Sequence, residues 1–203
     1  MSWPELFAQT PTDVTLKEIR TALADRRAEH SHTSSSEDAM PTQPPEPTPR
    51  RVVADADVLA ADCCVGGPAR RVLETLYRHS WIDLVASDPL LEDAENVIQA
   101  VTDASVATAW RAQINEWRQP VSHPTGDHPA LGSAYRGGSM HILSFDDTLT
   151  SSAVGATLNT HVPISVRRPD AFELLFDPES LYATEHDEAY GGPDRPPREE
   201  KSS

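Results

Sequence analysis

Arg51-Val-Val-Ala-Asp-Ala-Asp-Val-Leu59 decides the reading of this chain. Val52, Val53 and Ala54 form a short apolar run, rich in β-branched residues, that ends in two carboxylates, Asp55 and Asp57. Such a run directly after a polar stretch reads as a buried central strand of a parallel sheet. Acids at the carboxyl end of that strand stand where open α/β sheets place their ligands. Two neighbouring buried carboxylates repel and lose hydration unless a positive group joins them, and a hard divalent cation is a common solution.

Outward from that stretch, strand and helix signals alternate. Pro44-Pro-Glu-Pro-Thr-Pro49 closes a polar segment from 30 to 49 that carries too few apolar residues to fold and reads as a disordered linker. Before it, Thr15-Leu-Lys-Glu18 fits a capping box, followed by Leu16, Ile19 and Leu23 at helical spacing. These residues predict a short helix at about 15–29 within an N-terminal segment, 1–29. Its thin apolar face suits a loosely held tail, or docking on the domain, a second copy or a partner. After β-like Arg51–Ala54, Gly66-Gly67-Pro68 opens a helix to about His79, Trp81–Ala86 reads as a strand, and Asp88-Pro89 starts a helix to about Val101. Helices follow at about 104–118 and 128–135, then a strand Met140–Phe145, a short helix near Thr150 to Leu158, a strand Val162–Val166 and a helix Pro169–Leu175. The alternation predicts an α/β, three-layer sandwich with a mostly parallel sheet over residues 50–182 and a disordered polar tail at 183–203.

The 203 residues carry a formal net charge of −15, and Lys17 and Lys201 are the only lysines. This acid-rich, lysine-poor composition resembles proteins of salt-loving, archaeal-type cytoplasms, where carboxylates maintain hydration. Adjacent Cys63 and Cys64 form neither a plausible bridge nor a zinc site and point to a reducing compartment. With no apolar run near the ~18 residues of a membrane span and no signal segment, a cytoplasmic protein without membrane attachment is expected.

Further acids converge on the first strand's end. Asp146 follows its own strand, so it shares the carboxyl edge with Asp55, and Asp127 precedes a helix whose amides favour a carboxylate. On the helix after Asp88, residues at ~100° steps give one apolar face containing Leu90, Leu91, Ala94, Val97, Ile98 and Val101. Glu92 falls opposite that face. Asp93 and Glu95 fall on its two borders, where a side chain can reach the sheet edge. His123, His128 and His141 read as surface or capping residues.

The motifs Val53-Ala-Asp55-Ala-Asp57, Ser87-Asp-Pro-Leu-Leu-Glu-Asp93, Asp127-His-Pro-Ala-Leu-Gly-Ser-Ala134, Ile142-Leu-Ser-Phe-Asp146 and Val162–Pro169 with Phe172 resemble, in order and placement, the PIN-domain ribonucleases. The resemblance implies a carboxylate cluster holding Mg²⁺ or Mn²⁺ that activates water against an RNA phosphodiester. It implies Asp55, Asp93, Asp127 and Asp146 as catalytic acids, with Asp55, Asp127 and Asp146 on the metal. Ser144 stands where that family often has a hydroxyl. Asp93 replaces the usual glutamate, Glu92 is its neighbouring alternative, and Asp57 replaces a common asparagine. A homodimer and an antitoxin-like or other protein partner are further implications.

The sequence thus leads to a metal-dependent endoribonuclease. A non-catalytic domain serving as an RNA-binding or interaction scaffold is the alternative, suited to the adverse net charge and to Asp93. A phosphohydrolase with Asp55 as nucleophile would need a lysine within the domain, and neither lysine lies there. Arginines at 70, 71, 78, 111, 118, 136, 167 and 168 are scattered and define no RNA groove.

Overall fold

A computed structural model describes residues 1–30, 43–124, 126–151 and 163–199. Five strands make one sheet: β1 (Thr48–Ala54), β2 (Asp83–Ser87), β3 (Gln119–Val121), β4 (Ser139–Leu143) and β5 (Ser165–Arg167). Their order is β3-β2-β1-β4-β5 and every pairing is parallel. β1 is therefore central, and Val52, Val53 and Ala54 are buried on both faces, which explains their unbroken apolar run. From β1 the chain builds the sheet one way to β3, then returns to place β4 on the other side. The strand order reverses between β1 and β4, the crevice in which doubly wound sheets bind ligands.

Helices flank the sheet. In chain order they are α1 (Trp3–Gln9), α2 (Leu16–His30), α3 (Ala56–Cys64), α4 (Gly67–Tyr77), α5 (Asp88–Val101), α6 (Ala104–Trp117), α7 (Pro129–Gly137), α8 (Pro169–Leu175) and α9 (Pro178–Glu185). α7 packs on β1, β2, β3 and β4, while α3 packs on α4 and α5, and α5 on α6. The α/β architecture expected from alternation is the one present. No described helix is long and apolar enough to cross a membrane.

Local differences have physical reasons. α3 was not expected, because all nine of its residues are buried and a helix buried all round shows no amphipathic period. The second strand begins at Asp83 rather than Trp81, whose ring instead meets Tyr182 and His186 edge-on. β3, α1 and α9 are too short to give a periodic signal. The expected helix near 150–158 and the start of the strand at Val162 lie outside the described residues, apart from its first two positions.

The chain ends are joined to the domain. The capping box of α2 forms as expected: Glu18 Oε2 accepts from the Thr15 amide at 2.8 Å, and Thr15 Oγ1 accepts from the Glu18 amide at 3.3 Å. Ile19 and Leu23 are buried where α2 packs on α3 and α5, so this helix docks on the domain itself. At the other end, described structure continues past Tyr182. Arg198 is buried and grips Asp62 of α3 bidentately at 2.8 and 3.0 Å, with Glu74 at 3.1 Å. Its guanidinium lies 4.9 Å from the Trp3 ring centroid and 5.5 Å from that of Trp117. The buried Asp62 is the reason the C-terminal arginine is held.

Two expectations follow. Arg198→Ala leaves Asp62 with Arg70 alone and should cost about 3 kcal/mol, read as a lower urea midpoint, because one half of a buried pair is removed. An unchanged midpoint would show that the C-terminal segment is not docked. His141 is held at a pKa of about 4 by burial and by nearby Arg167. The unfolded chain therefore binds the extra proton first. Stability should fall as pH drops from about 6.5 to about 4, by on the order of 2–3 kcal/mol, and His141→Gln should flatten that part of the profile.

Candidate functional site

The edge is built by hydrogen bonds running between the ends of β1 and β4. The Asp55 amide donates to the Leu143 carbonyl at 2.8 Å, extending the strand pairing one residue beyond β1. Asp55 is fully buried and caps α3, its Oδ1 accepting from the Ala56 amide at 2.8 Å. Its Oδ2 accepts from Ser144 Oγ at 3.1 Å, and that same hydroxyl oxygen accepts from the Asp146 amide at 3.0 Å. Ser144 thus ties the Asp55 carboxylate to the backbone of Asp146. In the first turn of α3, Asp57 Oδ2 accepts from the Phe145 amide at 3.0 Å, fixing the same loop.

Asp93 enters from α5. Glu92 is exposed, and Glu95 turns to Arg111 on α6 at 3.4 Å, so only Asp93 faces the sheet edge. Asp93 meets two adjacent arginines of α2: Arg26 Nε lies 2.9 Å from its Oδ1, and Arg27 Nε lies 3.3 Å from its Oδ2. Arg27 also reaches Asp55, with Nη2 2.8 Å from Oδ1, and its Nη1 lies 3.1 Å from His128 Nε2. One guanidinium therefore joins Asp55, Asp93 and His128.

The charges around it respond accordingly. Burial alone would lower the pKa of Arg27, but Asp55 and Asp93 outweigh it and raise the value above the usual one. His128 is pushed below the ordinary histidine value by burial and by Arg27, against the pull of Asp55, Asp146 and Asp93. Asp57 is driven well above the usual carboxyl range, first by burial and then by the charge of Asp55. Asp57 Oδ1 and His128 Nδ1 are buried without a hydrogen-bond partner in the described structure. Both belong to side chains that feel the Asp55 charge, so the cluster retains polar capacity that the protein does not satisfy.

Of the acids singled out from sequence, Asp55, Asp57 and Asp93 gather at this edge; Asp146 joins it by its backbone amide on Ser144, while its Oδ1 accepts from the Thr148 amide at 2.7 Å. Asp127 is exposed in the turn before α7, and the N-cap of that helix is His128. Among the described residues, no three of His, Cys, Asp and Glu converge as a ready metal-binding group. The positive charge in the cluster is an arginine. Sequence reasoning missed Arg26, Arg27 and the inward turn of His128. The available signal was an arginine pair continuing the Ile19–Leu23 stripe at i+7 and i+8, where an apolar residue is usual.

The family model that matches this chain spans residues 46–198 and is described as a family of unknown function, DUF7384. No curated protein and no solved structure matches. The resemblance to PIN-domain ribonucleases is thereby corrected, since the matching family is a different one. Its motifs were junctions of buried strand and acid, which any parallel sheet in an acid-rich chain can present at its carboxyl edge.

Arg27→Ala would leave fully buried Asp55 without its cation. In metal-free buffer it should lower stability by about 2–3 kcal/mol, the buried-pair cost reduced because Arg27 is partly exposed. Arg20→Ala, which removes an exposed pair with Asp147, should change it by less than about 0.5 kcal/mol in the same urea titration. Equal effects would mean that Arg27 and Asp55 are not coupled in solution.

Proposed function

We propose that the chain, which belongs to the DUF7384 family of unknown function, is a divalent-metal-dependent endoribonuclease working at the Asp55, Asp93 and Asp146 edge. The observation that carries this reading is the meeting of Asp55, at the end of β1, with Asp93 of α5 on one guanidinium at the switch point of the sheet, where Ser144 also ties the Asp146 backbone to Asp55. Switch points of this kind are where doubly wound sheets place ligands, and buried acids there need a positive partner, which in this structure Arg27 supplies.

The donor types at this edge are those that Mg²⁺ or Mn²⁺ takes, although the described side chains are not gathered as a ready metal-binding group. Asp55, Asp93 and Asp146 offer hard oxygen donors, Ser144 adds a hydroxyl beside Asp55, and Asp57 Oδ1 has no hydrogen-bond partner among the described residues. A bound ion of this kind polarises a phosphodiester and makes water a better nucleophile. The protein supplies the positioning. Ser144 and the Ala56 amide fix both oxygens of Asp55, so its orientation is set before any ligand arrives. Asp57 holds the Phe145 amide and thereby places Asp146. Arg168, which pairs with Asp147 at 3.5 Å, and neighbouring Arg167 are cations close to this loop that can meet a phosphate backbone. At net charge −15, binding of RNA depends on such local cations and on screening by salt.

A second reading, a non-catalytic scaffold, draws support from Arg27 itself, which neutralises the acids without any metal. Labelled single-stranded and hairpin RNAs, with matched DNAs, decide between the two in high KCl with Mn²⁺ or Mg²⁺. The nuclease reading expects RNA cutting that chelation stops and that Asp55→Asn and Asp146→Asn each reduce to background. Cutting that survives both substitutions would remove the site from the reaction. Absence of cutting by every form, with no metal-induced rise in melting temperature, would leave the scaffold.

A further inference from the structure

The arginines of α2 raise a separate question, because they occupy the place where a catalytic cation would have to sit. Arg20, Arg26 and Arg27 end on three acids of the edge: Asp147 at 3.1 Å, Asp93 at 2.9 Å and Asp55 at 2.8 Å. Arg27 takes Asp55 Oδ1 and Asp93 Oδ2 together, so both carboxylates are turned onto a guanidinium. A divalent ion drawing on those oxygens would stand within a few ångströms of that positive group, and the two would repel.

We propose that α2 is a built-in stopper of the edge: Arg27 holds the position of the cation, so docking of α2 and binding of a divalent ion exclude each other. This rests on the reading of the edge as a cation site. Three observations support it. Among its described side chains α2 buries Ile19 and Leu23 deeply, with Leu16 and Ala22 half-buried beside them, so its attachment is shared between a small apolar contact and the arginines that reach the acids. The matched family region begins at residue 46, after α2, so the acids lie within that region and the arginines outside it. Asp57 Oδ1, buried beside Asp55 and Arg27 and without a partner, is polar capacity that the guanidinium does not use.

The regulatory consequence is specific. In the docked state the acids are neutralised and the edge is covered. An ion with two charges competes with Arg27 for the same oxygens, and its success breaks two of the ion pairs that hold α2, those of Arg27 with Asp55 and with Asp93. What then holds α2 is the small apolar contact of Ile19 and Leu23 with its capping box and own backbone bonds, a marginal set for a 15-residue helix. Loss of docking should therefore appear as loss of backbone protection along α2.

Hydrogen exchange on the wild-type full chain, with and without saturating Mn²⁺, tests this without any substitution. Amides of Leu16–His30 should exchange roughly tenfold faster with Mn²⁺, while those of β1 and β4 stay protected. Free Mn²⁺ followed by electron paramagnetic resonance supplies the second readout: Arg27→Ala should bind the ion roughly tenfold tighter than wild type, and Arg27→Lys should fall between. Undiminished α2 protection while Mn²⁺ is bound, equal affinity in wild type and Arg27→Ala, or no binding by either form would overturn the stopper. Both expected effects without RNA cutting would uphold the stopper and remove the endoribonuclease reading. Asp55-dependent cutting with α2 still protected would do the reverse.

Discussion

A carboxylate withdrawn from water cannot keep its charge alone, and the arrangement around α3 follows from that constraint. Asp55 caps the helix, Asp57 lies in its first turn and Asp62 near its end, and none of the three is appreciably exposed. Each is handled differently. Asp55 is matched by Arg27 and two hydrogen bonds, Asp62 by Arg198 and Arg70, and Asp57 by one backbone amide together with a strongly raised pKa. Burial thus forces ion pairing of two acids and favours one neutral acid within the eight residues from Asp55 to Asp62.

The two matched acids draw in opposite ends of the chain. Arg27 arrives on α2 from the N-terminal side and Arg198 on the segment after α9, so both ends close on α3 from outside the sheet. Their environments differ in a way that bears on function. Arg198 is wholly buried and faces aromatic rings of α1, α4 and α6, an arrangement suited to permanent structure. Arg27 keeps a quarter of its side chain exposed and shares its carboxylates with a helix that has little apolar hold. The first pair is a fastening. The second is exchangeable.

How much of this the sequence discloses depends on where the signal resides. The central strand was legible because Val52–Ala54 is apolar on both faces, and its carboxyl edge because Asp55 and Asp146 each follow such a run. The orientation of α5 was also legible: a 3.6-residue period separates Glu92 from Asp93. α3 was hidden, since a helix with no exposed face has no period, and the same burial concealed that Asp57 and Asp62 need handling at all. The arginines were hidden for another reason. Pairing of Arg27 with Asp55 spans distant parts of the chain, and no local pattern reports a long-range ion pair. His128 was read as a surface or capping residue; its backbone is the N-cap of α7, while its ring is not at the surface but turns inward to Arg27. Fold class follows from local rules, whereas the partner of a buried charge is fixed only by tertiary packing.

The central claim is that the edge between β1 and β4 is a cation site for which Arg27 stands in. Diffraction from crystals grown with Mn²⁺, with anomalous data collected at the manganese edge, addresses it most directly. The account expects an anomalous peak within coordination distance of Asp55 and Asp146 carboxylate oxygens, with the Arg27 guanidinium moved off Asp55. An Arg27–Asp55 pair intact at saturating Mn²⁺, with no peak at the edge, would contradict it.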